Sequence, residues 1–120
     1  MHAMTKSGTD LVNEAKQRIT EIDLAAARRA HRAGDVVFVD VREPHESNLG
    51  RIPGATLLPR GTIEVRCEGV LPRDRALVVY CAGGSRSALA ADTLQTMGYE
   101  VRSLRGGYRA WVEDGGPVEG

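Results

Sequence analysis

A three-layer α/β domain, with helices on both faces of a central, mostly parallel sheet, is the fold class this chain predicts. Two continuous apolar runs, VVFVDV (Val36–Val41) and ALVVY (Ala76–Tyr80), read as strands buried on both faces. Segments with helical periodicity lie beside them, and strands alternating with helices in this rhythm imply parallel pairing. The length of 120 residues suits one domain better than two.

Each element has its own signal. Residues 1–10 are expected to form a flexible N-terminal tail, leaving 11–120 as a single domain. Leu11, Val12, Ala15 and Ile19 recur at helical spacing and predict a short amphipathic helix. Asp23 is placed to cap a second helix, Leu24 to Ala33, which Gly34 ends. After the Val36–Val41 strand, REPHESNLGRIPGATLLPRG is rich in Gly and Pro and predicts loops. Within it fall a short helix near Pro44–Leu49 and a short strand at Ala55–Leu58, with a helical stretch at Thr62–Val65 beyond. Following Ala76–Tyr80, the residues Leu89, Ala90, Thr93, Leu94 and Met97 mark one face of a helix that Gly98 stops. A strand at Tyr99–Leu104, a turn at Gly106–Gly107 and a last helix at Tyr108–Val112, anchored by Trp111, complete the chain.

Composition narrows the function. Hydrophobic residues make up 42% and charged residues 27%, the balance of a folded globular chain. The 16 basic residues match the 16 acidic ones, which argues against general nucleic-acid or membrane-surface binding. With one Phe, three Tyr and one Trp there is little for a base-stacking platform. Two cysteines make no disulfide framework and favour a reducing compartment. MHAMTKSGTD lacks the apolar core of a signal peptide, and no apolar run approaches a membrane span. A cytoplasmic location is expected.

In parallel sheets, ligands sit beyond the carboxyl ends of the strands, and Cys81 follows directly on one of those ends. Gly83 and Gly84 let the loop curl so that successive N–H groups point inward, and the following helix adds the positive end of its dipole. Arg86 supplies a nearby cation. A thiol in such a setting falls from about 8.5 toward roughly 3.5–7.5, which makes Cys81 a thiolate nucleophile at neutral pH. That role requires a thiol that is ionised and within reach of solvent. On the loop alone, a buried packing thiol remains an equal alternative.

Three ordered blocks break that tie. DVREPHE at 40–46 with GRIPGA at 50–55, CAGGSRSALAA at 81–91, and GYEVRSLRGGYRAW at 98–111 with GGPV at 115–118 resemble the signatures of the rhodanese (sulfurtransferase) family. The resemblance runs from about Ile22 to Val118. It implies the rhodanese-like fold and a Cys81 that takes a sulfane sulfur as a persulfide and passes it to a thiophilic acceptor. Amides of Ala82, Gly83, Gly84, Ser85 and Arg86 would hold the anionic persulfide, and the hydroxyls of Ser85 and Ser87 could donate to it. The implied partners are a small anionic donor, such as thiosulfate, and a thiol or cyanide acceptor. A partner protein in a sulfur relay is a further expectation. No metal, flavin or nucleotide cofactor is called for.

The loop also separates this chemistry from that of cysteine-dependent phosphatases, some of which share the fold. Those need C-x5-R to wrap three phosphate oxygens, whereas Cys81 and Arg86 stand in C-x4-R spacing with no aspartate in the loop. Two departures from the family pattern stand out. Arg51 occupies a position that usually holds His, which puts a proton-relay role there in doubt. Ala82 and Gly83 are uncharged where thiosulfate-specialised relatives often carry basic residues, so thiosulfate is expected to be a poor donor.

Other candidates have plainer readings. Asp40 and Arg42 are expected to support the active loop as a buried ion pair, with Arg42 also available to attract an anionic donor. Glu43 and Glu46 belong to the same charged group, for which a structural role is favoured over acid/base chemistry. Cys67 lies too far along the chain from Cys81 to be assigned a resolving role and reads as an incidental thiol. His45 is expected on the surface, His31 at the basic end of its helix and His2 in the tail; no three residues have metal-ligand spacing.

Overall fold

The computed structural model describes residues 5–120. Helix α1 spans Gly8–Arg18, strand β1 Glu21–Ile22, α2 Leu24–Ala33, β2 Val36–Asp40, α3 Pro44–Asn48 and β3 Thr56–Leu57. A 3₁₀ turn at Arg60–Thr62 leads into α4, Ile63–Val70, followed by β4 Ala76–Tyr80, α5 Ser85–Thr96, β5 Val101–Leu104 and α6 Gly107–Glu113. The five strands lie in the order β1-β5-β4-β2-β3, and every neighbouring pair is parallel.

Side chains alternate across the two central strands and so build two cores. Val39, Leu77 and Val79 face α4 and α5, where they meet Ile63, Cys67, Ala90, Ala91 and Leu94. Phe38, Val78 and Tyr80 face the other way, onto Ala27 of α2 and Trp111 of α6. Three layers follow directly. Of the α5 residues, it is Ser87, Ala88, Ala90, Ala91 and Leu94 that are buried, while Leu89 and Thr93 are only half-buried. The small residues on this face let α5 lie close to the sheet.

Several boundaries shift for local reasons. Helix α1 begins at Gly8, so residues 8–10 belong to the domain and not to a tail. Ser7 and Asp10 form a capping box, with Asp10 N–H donating to Ser7 Oγ at 3.0 Å and Ser7 N–H to Asp10 Oδ2 at 2.9 Å. His2 lies outside the described residues. The helix predicted at Thr62–Val65 runs on to Val70. The two-residue strand β1 carries no periodic signal and exists only through its pairing with β5.

His31 sits in the last turn of α2, as expected. It is half-buried there, lies edge-on to Phe38 and Trp111, and its Nε2–H donates to the Pro53 carbonyl at 2.9 Å. Among the described residues, no helix is long and apolar enough to cross a membrane.

Candidate active site

Strand β4 ends at Tyr80, and strand alternation turns the Cys81 side chain toward α5. The chain then curls through Ala82–Gly84 and enters α5. Gly84 takes φ +114°, a left-handed conformation that other side chains rarely adopt, and this turn aims its N–H back at the cysteine. Gly84 N–H donates to Cys81 Sγ at 3.1 Å and Ser87 N–H at 3.4 Å, while the Cys81 thiol donates to Ser87 Oγ at 3.5 Å; once the thiol ionises, the Ser87 hydroxyl becomes the donor. Two amides and a hydroxyl thus surround one sulfur atom.

Burial pushes the Cys81 thiol up, but the hydrogen bonds from the Ser87 hydroxyl and the amides of Ser87, Gly84 and Gly83 outweigh it. The net displacement is downward from the ordinary cysteine value. Cys67 provides the contrast. It is fully buried with its thiol donating to Met97 Sδ at 3.6 Å, as a packing thiol does, and it meets no loop amide. At 1% exposed, Cys81 is walled off from solvent in this structure, contrary to the expectation of a thiol within reach of solvent. Reaction at Sγ therefore requires the loop to admit the donor's sulfur atom.

Helix α6 holds the loop in shape. Tyr108 N–H donates to the Cys81 carbonyl at 2.8 Å and Arg109 N–H to the Ala82 carbonyl at 3.1 Å. In a trans peptide the C=O and N–H point opposite ways, so fixing those two carbonyls outward turns the Ala82 and Gly83 N–H groups inward. This docking is possible only because residue 107 is glycine. A Cβ there would stand 2.6 Å from both the Cys81 and Ala82 carbonyl oxygens, and φ is +63°.

Below Cys81 lies a hydroxyl pair that the sequence pattern does not reveal. Ser87 Oγ sits 2.9 Å from Ser103 Oγ of β5, and both residues are fully buried. If the Ser87 hydroxyl donates to Cys81, the Ser103 hydroxyl must donate to Ser87. An isolated serine in the apolar strand VRSL is the only sequence trace of this arrangement.

The charged residues divide into two ion pairs. Asp40 accepts from Arg42 Nε at 2.9 Å, Arg42 Nη2 at 2.7 Å, the Arg42 amide at 3.0 Å and the Tyr80 hydroxyl at 3.1 Å. Burial, joined by the charge of Asp40, pushes the Tyr80 phenol up. Arg42 Nη2 also donates to the Gly50 carbonyl, and the guanidinium lies 4.3 Å from the Tyr108 ring centroid. At 4% exposed it lies over the Tyr80 and Tyr108 rings and does not present charge to solvent, contrary to a donor-attracting role.

Arg86 likewise departs from the role of a free cation over the thiol. Its guanidinium makes a bidentate pair with Glu46 at 2.7 and 3.0 Å. That pair, helped by the Glu43 amide, holds the Glu46 carboxyl down to about 2. Ser85 is exposed and Ala82 half-buried, and neither contacts Sγ. Arg51 reaches the Glu119 carboxylate at 3.2 Å and the Ser47 carbonyl at 3.2 Å, with two backbone bonds to Glu119 beside them. It straps the C-terminal segment to the loop before Ile52. His45 is exposed, as expected.

The family model for the rhodanese-like domain matches residues 23–114. The chain belongs to the rhodanese-like domain family. It is similar to a sulfurtransferase of Allochromatium vinosum, at 40% identity over 102 residues that cover 83% of this chain and 94% of that protein. It is also 38% identical over 81 residues to a probable adenylyltransferase/sulfurtransferase of Mycobacterium tuberculosis; the match covers 65% of this chain but only 20% of that longer protein. Among solved structures, a Rhodopseudomonas palustris protein of unknown function, described as a possible tyrosine phosphatase, superposes with a TM-score of 0.88 and 38% identity. That superposition covers 99% of this chain and 98% of the other. Family and relatives support sulfur transfer as the general chemistry of this rhodanese-like chain.

Proposed function

We propose that this rhodanese-like protein is a sulfurtransferase whose Cys81 accepts a sulfane sulfur as a persulfide and hands it to a thiophilic acceptor. The observation that carries the reading is the convergence of the Gly84 N–H, the Ser87 N–H and the Ser87 hydroxyl on Cys81 Sγ. These groups lower the Cys81 pKa despite burial, and the thiolate is the nucleophile. Once sulfurated, the outer sulfur of Cys81–S–S⁻ would lie within the loop, where the Gly83, Gly84 and Ser87 amides that already act on Sγ stabilise its charge. Attack by cyanide or a thiolate on that outer sulfur then releases Cys81.

A second reading keeps the same persulfide but gives turnover to a partner protein, with this chain as sulfur carrier. The exposed, side-chain-free Gly83 favours it, since the loop mouth is open to a docking protein. Phosphatase chemistry is disfavoured by the C-x4-R spacing and by the commitment of the Arg86 guanidinium to Glu46, outside the loop.

Thiocyanate formation from thiosulfate and cyanide, compared between wild type and Cys81→Ser, tests the proposal. Turnover lost in Cys81→Ser supports the enzyme. Negligible turnover with a stable added sulfur on Cys81 in the mass spectrum supports the carrier. Hydrolysis of an aryl phosphate, or a native Cys81 that no thiol reagent reaches, would overturn both.

A further inference from the structure

We propose that Arg109 forms an anion-binding subsite over the active loop, selecting sulfur donors whose sulfane sulfur is attached to an anionic oxyacid group, such as thiosulfate or a thiosulfonate. This deepens the sulfurtransferase reading and rests on it. Helix α6 is fixed against the loop by the missing side chain at Gly107 and by the Tyr108 and Arg109 amides, so the Arg109 backbone is set relative to Cys81. Its guanidinium Nη1 lies 3.4 Å from where a Cβ on Gly83 would stand. The space that a basic side chain at loop position 83 would occupy is filled by a cation from another element.

Charge bookkeeping singles out the same residue. Three arginines converge on the loop. Arg42 is neutralised by Asp40 and Arg86 by Glu46, each at 2.7 Å. Arg109 is exposed and, among the described residues, its side chain has no carboxylate or hydrogen-bond partner. It is the cation with charge left for a ligand. The proposal runs against the expectation of poor thiosulfate use drawn from the uncharged Ala82 and Gly83, because the charge would come from α6.

The chemistry needs that charge. The Cys81 thiolate attacks the sulfane sulfur of thiosulfate, a new S–S bond forms, and the bond to the sulfonate sulfur breaks. Sulfite leaves with the bonding electron pair, and total charge is conserved at three negative units with no added oxidant or proton. Two anions must approach one another, and the leaving group departs as a dianion. A guanidinium beside Gly83 offsets the repulsion and matches the oxygens of the departing sulfite.

The test uses the full chain with Arg109→Ala, Arg109→Lys and Arg109→Glu. Cys81 is alkylated with iodoacetate, an anion, and with iodoacetamide, its neutral counterpart, and the rate ratio is compared. The ratio is expected to fall about threefold in Arg109→Ala and about tenfold in Arg109→Glu, from one unit charge acting across several ångströms of high-dielectric surface. Arg109→Lys should stay within about twofold of wild type, and the effect should shrink with added salt as surface charges are screened. In parallel, kcat/KM for thiosulfate should fall about tenfold in Arg109→Ala, since the donor carries two charges. A ratio unchanged in Arg109→Ala and Arg109→Glu, or an unchanged thiosulfate KM in Arg109→Ala, overturns the proposal. A ratio that falls while the wild type shows no Cys81-dependent sulfur transfer leaves the anion subsite standing and overturns the sulfurtransferase reading instead. Unaltered iodoacetamide rates show that the variants keep the loop intact.

Discussion

Replacing Ser87 by alanine separates the electrostatics of the loop from its packing. The substitution removes the hydroxyl 3.5 Å from Cys81 Sγ, leaves the amides of Gly84 and Ser87 in place, and leaves the burial of the cysteine unchanged. A hydrogen bond to a charged group is worth roughly 1.5–3 kcal/mol. At the lower end, about 1.4 kcal/mol corresponds to a rise of about one unit in the Cys81 pKa. Below that pKa, the rate of alkylation should fall about tenfold, in step with the thiolate fraction.

The same change strands the Ser103 hydroxyl, whose partner is Ser87, and a buried unsatisfied hydroxyl costs about 1–3 kcal/mol. For a domain of this size each kcal/mol moves Tm by about 3–5 °C. The double variant Ser87→Ala/Ser103→Ala removes both partners, so stability should return toward wild type while the raised pKa persists. Linkage gives the sign. A folded-state Cys81 pKa below the unfolded one stabilises the fold fully above the unfolded value, and that contribution is lost as pH falls through the folded value. Weakening the donors narrows this window. The measurements are the pH profile of iodoacetamide alkylation and thermal unfolding. A Cys81 pKa unchanged or lowered in both variants would refute the account of how the loop holds the thiolate.

Two further outcomes follow from contacts around the loop. Gly107→Ala places a Cβ 2.6 Å from two carbonyl oxygens at a φ of +63°. It should cost roughly 2–4 kcal/mol in unfolding free energy and release α6 from the loop, with sulfur transfer lost even where the protein remains folded. Glu46→Gln frees the Arg86 guanidinium 2.7 Å away and should lower the Cys81 pKa by a few tenths of a unit in the alkylation profile. In the wild type the Glu46 carboxyl sits at about 2, below its unfolded value. The pair therefore contributes in full above the usual carboxylate pKa and is lost only as pH falls toward 2, so alkylation at pH 4 should still distinguish Glu46→Gln from wild type.

Much of the fold was legible because its signals are local. The Asp23 cap and the left-handed Gly34 bracket α2 as read, since a side-chain oxygen on a free N–H and a residue that tolerates positive φ act within one turn. The β-branched runs became the two central strands, because only a sheet covered on both faces accommodates such continuous apolarity. The ordered signature blocks placed Cys81 and its loop. What stayed hidden depends on distance along the chain. Strand β1 exists by pairing with β5, and Ser103 matters only because β5 lies beside β4.

The sequence by itself determined where the thiol of the proposed reaction stands, at the end of a buried strand and ahead of a glycine turn entering a helix. The tertiary structure decided which groups act on it. The pairing of Arg42 with Asp40, two positions away, was legible, but Arg86 looks from the sequence like a cation over the thiol, and folding gives it the Glu46 carboxylate from 40 positions away. Arg109 arrives from α6 with no carboxylate among the described residues. Pairing of that long-range kind depends on separations of a few ångströms that no linear pattern encodes.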